Sequence, residues 1–460
     1  MGLRLELQSP FQKIKHSKLD SWERYESDHY IAPLKYPLNG LIKLLCLGDA
    51  HLGRYPSRVP TDNPSLSVRA IWKRAVAEAI DNNVDAVILT GDMADNSNSY
   101  FEAYGALRSE ISKLSQCNIP VVAVAGNHDH DVFPRLAESM PDDNLTLLGR
   151  NGIWEEEIIK TRSGRSLRCV GWSFPSAHYD RSPLDIFNLP QSEYFTVGIV
   201  HGALEIQGKF APLAKRDLDA QPVDLWLLGH VHAPKLHKDH RAWILYPGSP
   251  QPLDPGEPGT HGPWMITIDD QNRIQDEQLP LASVRYEEIV IDVSGREQIA
   301  DINSSIVEQL EESTLELTKD YPLLQHLSCR LILEGQTRLH RALSSEGLAN
   351  TDAYNRQVNQ CSITIDKVSF NTAPIRDLQE IAQLKNDPPG ILARWLLELE
   401  NADDHALLNG VRDAAKTVYS SAGFKALGQK EPDPRTLARL VNRQAMLLLD
   451  ELLAQKEDNG

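Results

Sequence analysis

The sequence predicts an α/β chain: a layered α/β domain, then a small α+β domain, then helices. Three observations lead there. Short apolar runs alternate with helical periodicity from Leu41 to Asp129, strand-like runs dominate from Leu167 to Ile268, and the last stretch is helical. At 460 residues the chain is long enough for two or three domains.

In order, Leu41–Leu47 is an apolar run ending in Gly48-Asp49, which reads as a buried strand. Leu66–Ile80 has helical spacing, and Asp85–Thr90 is a second buried strand running into Gly91-Asp92. Tyr100–Leu114 is helical, and Ile119–Ala125 is a third strand, ending in Gly126-Asn127-His128-Asp129. Strands follow at Leu167–Trp172, Tyr194–Val200, Val223–Leu228, Trp243–Tyr246 and Trp264–Ile268. Tyr286–Val293, Leu327–Glu334 and Cys361–Phe370, with a helix near Ile302–Leu315, make up the α+β unit. Proline-bearing breaks at Asp387–Gly390 and Pro432–Pro434 interrupt the helical remainder. These features divide the chain into an N-terminal extension (1–40), a main domain (41–282), a cap (283–372) and a helical region (373–460).

Bulk properties exclude several classes. No apolar run approaches the roughly 20 residues of a membrane span, and the start lacks a signal-peptide pattern. The five cysteines stand singly, as small core hydrophobes of a reducing compartment, which points to a cytoplasmic protein. The net charge of −17 argues against a nucleic-acid binder by bulk electrostatics, so any such contact needs a local basic patch. Arg54, Arg58, Arg69, Lys73 and Arg74 form one candidate patch, the alternative being a solvated helix face.

The chemistry sits at strand ends. Asp49-Ala50-His51, Gly91-Asp92, Gly126-Asn127-His128-Asp129, His201-Gly202 and Gly229-His230-Val231-His232 each follow a strand, where α/β sheets bind ligands. Carboxylate, amide oxygen and imidazole together suit borderline divalent ions such as Mn²⁺, Fe²⁺ or Zn²⁺. Seven ligands exceed one tetrahedral ion and fit two ions about 3.5 to 4 Å apart that share a carboxylate. A lone Asp-x-His is commonplace, and His16, His29, His326, His340 and His405 read as surface or packing residues. Five clusters on five strand ends are a different matter.

That order of motifs, D-x-H, G-D, G-N-H-D, H and G-H-x-H, resembles the calcineurin-like metallophosphoesterases over residues 41–232. The resemblance implies a four-layer α-β-β-α fold. It places one metal among Asp49, His51, Asp92 and His232, and a second among Asp92, Asn127, His201 and His230. It gives His128 the scissile phosphate to face, Asp129 an orienting role behind it, and the attack on phosphorus to a metal-activated water. Tyr246-Pro247-Gly248-Ser249-Pro250-Gln251, Gly256-Glu257 and His261-Gly262-Pro263-Trp264 further resemble the SbcD-type DNA-repair exonucleases. That closer likeness implies a Mn²⁺-dependent DNA exonuclease or endonuclease, acting as a homodimer. Its C-terminal helices would dock on an SMC-like ATPase of SbcC type. Two departures stand out: no histidine follows Gly91-Asp92, where Met93-Ala94-Asp95-Asn96 stands, and the first motif lies far from the start. A small-molecule phosphodiesterase or nucleotidase is the rival reading, and a scaffold with a vestigial site is disfavoured by the intact ligand set.

The tail carries apolar residues at Leu437, Leu440, Val441, Leu448 and Leu452, widened by Met446, Leu447, Leu449 and Leu453. A helix so apolar needs a cover, either its own domain or a partner's groove.

Overall fold

The structure is a computed structural model, and it describes residues 40–95, 100–140, 144–346, 348, 351–384, 387–400, 406–421 and 432–458. The extension read over residues 1–40 therefore lies outside the described residues except for Gly40. The first sheet begins with β1 (Ile42–Leu47), α1 (Val68–Asp81), β2 (Ala86–Leu89), α2 (Tyr100–Gln116), β3 (Val121–Ala123), α3 (Val132–Glu138) and β4 (Leu145–Leu147). β1 to β4 pair in parallel, as strands joined by helical crossovers must. β2 and β3 are buried throughout, which is why they read as unbroken apolar runs. α1 starts where Ser67 accepts the Ala70 N–H, and its Ile71, Trp72, Ala75, Val76 and Ala79 pack on the sheet.

A second sheet follows from β5 (Glu155–Lys160), β6 (Ser166–Trp172), β7 (Phe195–His201), α4 (Lys215–Asp219), β8 (Leu225–Gly229), β9 (Lys235–His237) and β10 (Trp243–Tyr246). β11 (Trp264–Ile268) then returns to lie antiparallel beside β1, and β12 (Ile274–Gln278) pairs with it. The spatial orders are β12-β11-β1-β2-β3-β4 and β5-β6-β7-β8-β10-β9. Leu44, Ile88 and Val122 of the first sheet meet Val197, Ile199 and Leu227 of the second in one apolar layer. Helices α1 to α3 cover the first sheet's outer face. The second sheet's outer face presents Trp172 of β6 and Trp226 of β8, covered by Trp154, loop residues such as Phe174, Leu184 and Leu213, and the five-residue α4, so this layer of the α-β-β-α stack is mostly loop. Gly198 leaves the room for it, since a Cβ there would stand 2.3 Å from the Trp226 ring.

Sequence reading missed α3 and the strands β4, β5, β9 and β12. Apart from α3, these lie at sheet edges and are short or charged: β5 reads EEEIIK and β12 reads IQDEQ. Edge strands avoid apolar runs because an apolar edge invites aggregation, and that removes the periodic signal.

The third sheet is separate. β13 (Val284–Asp292), α5 (Ile299–Asp320), β14 (His326–Gln336), α6 (His340–Glu346), β15 (Arg356–Val358) and β16 (Cys361–Ala373) give the order β13-β14-β16-β15. α5 buries Ile302, Ile306, Leu310 and Thr314, one stripe at four-residue spacing. This sheet is stapled to the body by polar bonds. The Tyr286 hydroxyl donates to the Ser57 carbonyl, Thr260 and Tyr321 join their hydroxyls at 2.6 Å, and Arg58 pairs with Asp366. Within the body, Arg74 donates to the Ser65 and Leu281 carbonyls. Arg74 thus points inward as a clip and leaves the candidate basic patch. Arg69 and Lys73 are exposed on α1, and Arg58 pairs with Asp366.

The chain ends in α7 (Leu378–Ile381), α8 (Pro388–Glu400), α9 (Ala406–Ser420) and α10 (Pro434–Asp458). Both proline breaks are helix starts, with Pro388 and Pro434 as first residues. Residues 422–431 of the stretch read as helical lie outside the described residues. α10 sets Met446 and Leu449 against Ala393 and Leu396 of α8, whereas Leu440 and Leu448 stay exposed. Its wide apolar stripe is therefore divided between its own domain and solvent. Among the described residues no helix is long and apolar enough to cross a membrane.

His326, read from sequence as a surface or packing residue, is fully buried, between Ser362 and Thr364 at 2.8 and 3.1 Å. Burial pushes it down to about 4 from its ordinary 6.5. Its folded form resists protonation, so its contribution to stability is intact above pH 6.5 and falls as pH drops toward 4. The expected slope is at most about 1.4 kcal/mol per pH unit. Denaturation midpoints measured from pH 4 to 7 should fall less steeply for His326→Gln than for the parent.

Candidate metal centre

The seven candidate ligands and His128 come from the C-terminal ends of β1, β2, β3, β7 and β8, so both sheets open onto one cleft. The loops are laced together. Asp49 N–H donates to the Gly91 carbonyl at 3.0 Å, His51 N–H to that of Asp92 at 3.0 Å, and Leu52 N–H to that of Met93 at 2.8 Å. Glycine is required beside them. A Cβ on Gly126 would stand 2.2 Å from Asp92 Oδ1, and one on Gly229 would stand 2.1 Å from the Thr90 carbonyl. Asp49, His51, Asp92 and His230 themselves hold φ of 48°, 47°, 49° and 94°. Left-handed backbone on four non-glycine residues is costly and persists only where surroundings fix it, commonly at functional sites.

Two groups form within the cleft. In the first, His51 Nε2 and His232 Nε2 face each other at 3.1 Å, with an Asp49 carboxylate oxygen within 4.8 Å of both. In the second, His201 Nε2 lies 3.3 Å from Asp92 Oδ2 and 3.1 Å from Asn127 Oδ1. Asp92 Oδ2 is also 4.0 Å from His51 Nε2, which places this carboxylate between the groups. The His230 ring sits 5.5 Å from that of His201, and the His230 backbone N–H donates to Asp49 Oδ1 at 2.9 Å.

The imidazole tautomers test whether metal ions fit. His51 Nδ1 is 3.2 Å from Asp95 Oδ1, and His232 Nδ1 is 2.6 Å from Glu257 Oε1. Each carboxylate fixes the proton on Nδ1 and so turns a bare lone pair of Nε2 toward the other ring. His201 is set the same way, with Nδ1 on the Thr90 carbonyl at 3.1 Å and Nε2 aimed at the oxygens of Asp92 and Asn127. Lone pairs facing lone pairs repel unless a cation lies among them, so the donor set fits divalent metal ions.

The electrostatics agree. Burial opposes charge on His201, but Asp92 and Asp49 overcome it and push the imidazole up to about 9, so without metal ions its Nε2 holds a proton against these oxygens, in the place a metal ion would take. Burial and the His201 charge push His230 down to about 3, leaving the neutral imidazole that a metal requires. Burial opposes the charge of Asp92 too, yet His201 beside it holds that carboxyl below the usual range.

His128 projects into solvent at the cleft mouth, its side chain 44% exposed, and its N–H donates to Asp92 Oδ1 at 2.8 Å. The carboxylate nearest its ring is Asp95, at 3.8 Å. Asp129 does other work: it accepts the Gly126 and Met93 N–H groups, both at 2.7 Å, and so staples the second and third ligand loops. Burial and the Asp92 charge push it up to about 7.

Sequence reading gave no role to Asp95 or Glu257. Glu257 also accepts from Ser249 Oγ and Leu253 N–H at 2.9 Å each, and His261 backs Ser249 at 3.1 Å. The only signal was the Ser249…Glu257…His261 pattern itself, quoted as a likeness without a function.

A fold of this type with such a centre defines a class. Residues 42–270 match the calcineurin-like phosphoesterase superfamily domain, and the chain carries a domain of that class, a superfamily of hydrolases that use divalent metals. Residues 286–373 match the middle domain of metallophosphoesterase YhaO. Among individual proteins, the chain is 23% identical over 272 residues to the uncharacterized metallophosphoesterase YhaO of Bacillus subtilis, covering 58% of this chain and 64% of that one. It is 24% identical over 294 residues to the DNA double-strand break repair protein Mre11 of Haloferax volcanii, covering 60% of each. The protein of the same name from Methanosarcina mazei is 24% identical over 293 residues, covering 59% of this chain and 43% of that one. The chain therefore spans between 43% and 64% of these relatives' own length.

Removing the support behind a ligand should weaken metal binding. Glu257→Gln keeps the bulk but loses the carboxylate that fixes the His232 tautomer. The expected loss in Mn²⁺ affinity is about 10- to 100-fold, read by calorimetry, with little change in the unfolding midpoint of the metal-free protein.

Proposed function

We propose that the chain is a two-metal phosphodiesterase that hydrolyses DNA, as exonuclease or endonuclease. The observation that carries the phosphodiesterase reading is the opposed pair of His51 and His232 lone pairs beside an Asp92 carboxylate that reaches both groups. In this reading Asp49, His51, Asp92 and His232 hold one ion, and Asp92, Asn127, His201 and His230 hold the other. Mn²⁺ fits best, because imidazole and carboxylate are mixed without thiolate. Bound, the ions supply Lewis-acid charge to the phosphoryl oxygens and lower the pKa of a water.

The chain's own residues do the rest. Asp95 and Glu257 keep His51 and His232 in the ligating tautomer. Asp129 holds the loops of Asp92 and Asn127 in register through the Met93 and Gly126 amides. His128, anchored through its backbone amide and with its ring edge-on to that of His51 at 4.9 Å, faces the incoming phosphate and donates to the leaving oxygen. Asp95 stands 3.8 Å from the His128 ring, and its negative charge there disfavours a dianionic phosphomonoester relative to a diester.

Similarity to proteins named for DNA double-strand break repair supports DNA as substrate. Residues 41–282 then form the catalytic domain, 283–372 the cap and 373–460 the partner-binding region of a cytoplasmic homodimer. The exposed Ile391 and Trp395 of α8 and Leu440 and Leu448 of α10 offer apolar surface for the coiled coil of an SMC-like ATPase. The cleft between body and cap sets Arg58, Arg330 and Lys367 against a single carboxylate, Asp366, which pairs with both arginines, and so offers a modest local positive charge that the net charge of −17 does not.

The purified chain with Mn²⁺ should degrade end-labelled linear DNA, and His128→Ala should lower the rate by about 100-fold or more. Cleavage of bis-p-nitrophenyl phosphate without any cleavage of DNA, with or without the ATPase, would instead favour a small-molecule phosphodiesterase.

A further inference from the structure

Beyond the metal ligands, a row of rings leads out of the cleft. The Phe210 ring lies 4.9 Å from that of His230 at an interplanar angle of 35°. The His178 ring lies 5.8 Å from that of Phe210 at 33°. His230 is half-buried, Phe210 is half-buried and His178 is exposed, so the row climbs from the candidate metal centre to solvent.

The backbone beneath the row is held firmly. Tyr179 N–H donates to the Lys209 carbonyl and Ala211 N–H to that of Tyr179, both at 2.8 Å. Ala203 N–H donates to the Phe210 carbonyl at 2.9 Å, and Leu213 N–H to that of Ala203 at 2.9 Å. Glu205 and Ala211, which bracket the exposed tip of this loop, hold φ of 59° and 47°, strained for residues other than glycine. Phe210 is thus fixed on both strands of its loop while part of its ring stays open. Phe210 packs one part of its ring on the edge of the Trp226 cluster and turns another part toward His230.

We propose that Phe210 and His178 form a stacking platform for a planar aromatic group carried by the substrate: a nucleobase attached to the phosphate held beside His230. The inference rests on the reading of the cleft as a phosphodiesterase site, and it names the nucleoside as what that site recognises next to phosphate. Base stacking on aromatic rings tolerates any base, as an enzyme acting along a polynucleotide needs. Phe210 and His178 stand too close to admit a third ring between them. The base therefore takes the outer face of His178, or the face of Phe210 once the exposed His178 ring swings out. Lys209, exposed and next in sequence to Phe210, brings a positive charge to the same wall.

The test has a binding arm and a turnover arm, both on the full chain. In the first, 2-aminopurine riboside 5′-monophosphate is titrated with protein, its fluorescence falling when the base stacks. In the second, kcat/KM is compared for the p-nitrophenyl ester of thymidine 5′-monophosphate and for methyl p-nitrophenyl phosphate, two diesters with one leaving group. The parent should quench the probe and prefer the thymidine ester by about tenfold or more, chiefly through KM. Phe210→Leu, which keeps apolar bulk against His230, should lose both effects, and Phe210→Trp should keep them. His178→Ala loses them if the base lies on His178 and keeps them if it lies on Phe210. A Phe210→Leu protein indistinguishable from the parent in both arms, or a parent with neither quenching nor preference, overturns the platform. Quenching and preference without DNA cleavage leave the platform standing and remove the nuclease reading. DNA cleavage with an indifferent Phe210→Leu does the reverse.

Discussion

Acceptor atoms crowded against one another at five strand ends are the constraint on which the rest of this structure depends. His51 and His232 present lone pairs to each other, and His201 presents one to two oxygens. Without a proton or a metal ion among these atoms, such an arrangement is repulsive and should relax. It persists because each imidazole is gripped from behind, by Asp95, Glu257 or the Thr90 carbonyl, and because the loops beneath are locked by left-handed backbone and tight glycine contacts. The fold thus holds in place an environment that only cations complete.

The larger architecture serves the same end. Two mostly parallel sheets bury their inner faces on one another, and this aligns the C-terminal edges of β1, β2 and β3 with those of β7 and β8. Neither sheet alone carries a complete site: the first brings carboxylates, Asn127 and two histidines, the second three imidazoles. Glu257 adds a further link, since it binds His232 through one oxygen and Ser249 and Leu253 through the other. The segment leading from β10 back toward the first sheet is therefore part of the support for the metal centre.

Much of this could be read from sequence, for physical reasons. β1, β2 and β3 are buried on both faces, so their apolar runs and the polar clusters that end them stand out, and with them the seven candidate ligands. Asp95 and Glu257 did not stand out as functional, because a carboxylate that touches a ligand from behind obeys no spacing. The contact between His232 and Glu257 spans a loop whose path only the fold determines. Charged edge strands such as β5 and β12 escaped for want of periodicity. Arg74 read as surface charge because its carbonyl partners, Ser65 and Leu281, are brought together only by folding. α10 resisted a single interpretation because its apolar surface is wider than the face it buries.

The central claim is a pair of ions sharing Asp92, and the most direct test is electron paramagnetic resonance of the metal-free chain titrated with Mn²⁺. The account predicts saturation at two Mn²⁺ per chain, with a spectrum broadened by exchange coupling between neighbouring ions that Asp92→Asn abolishes. Saturation at one ion, or two ions giving uncoupled spectra, would contradict it.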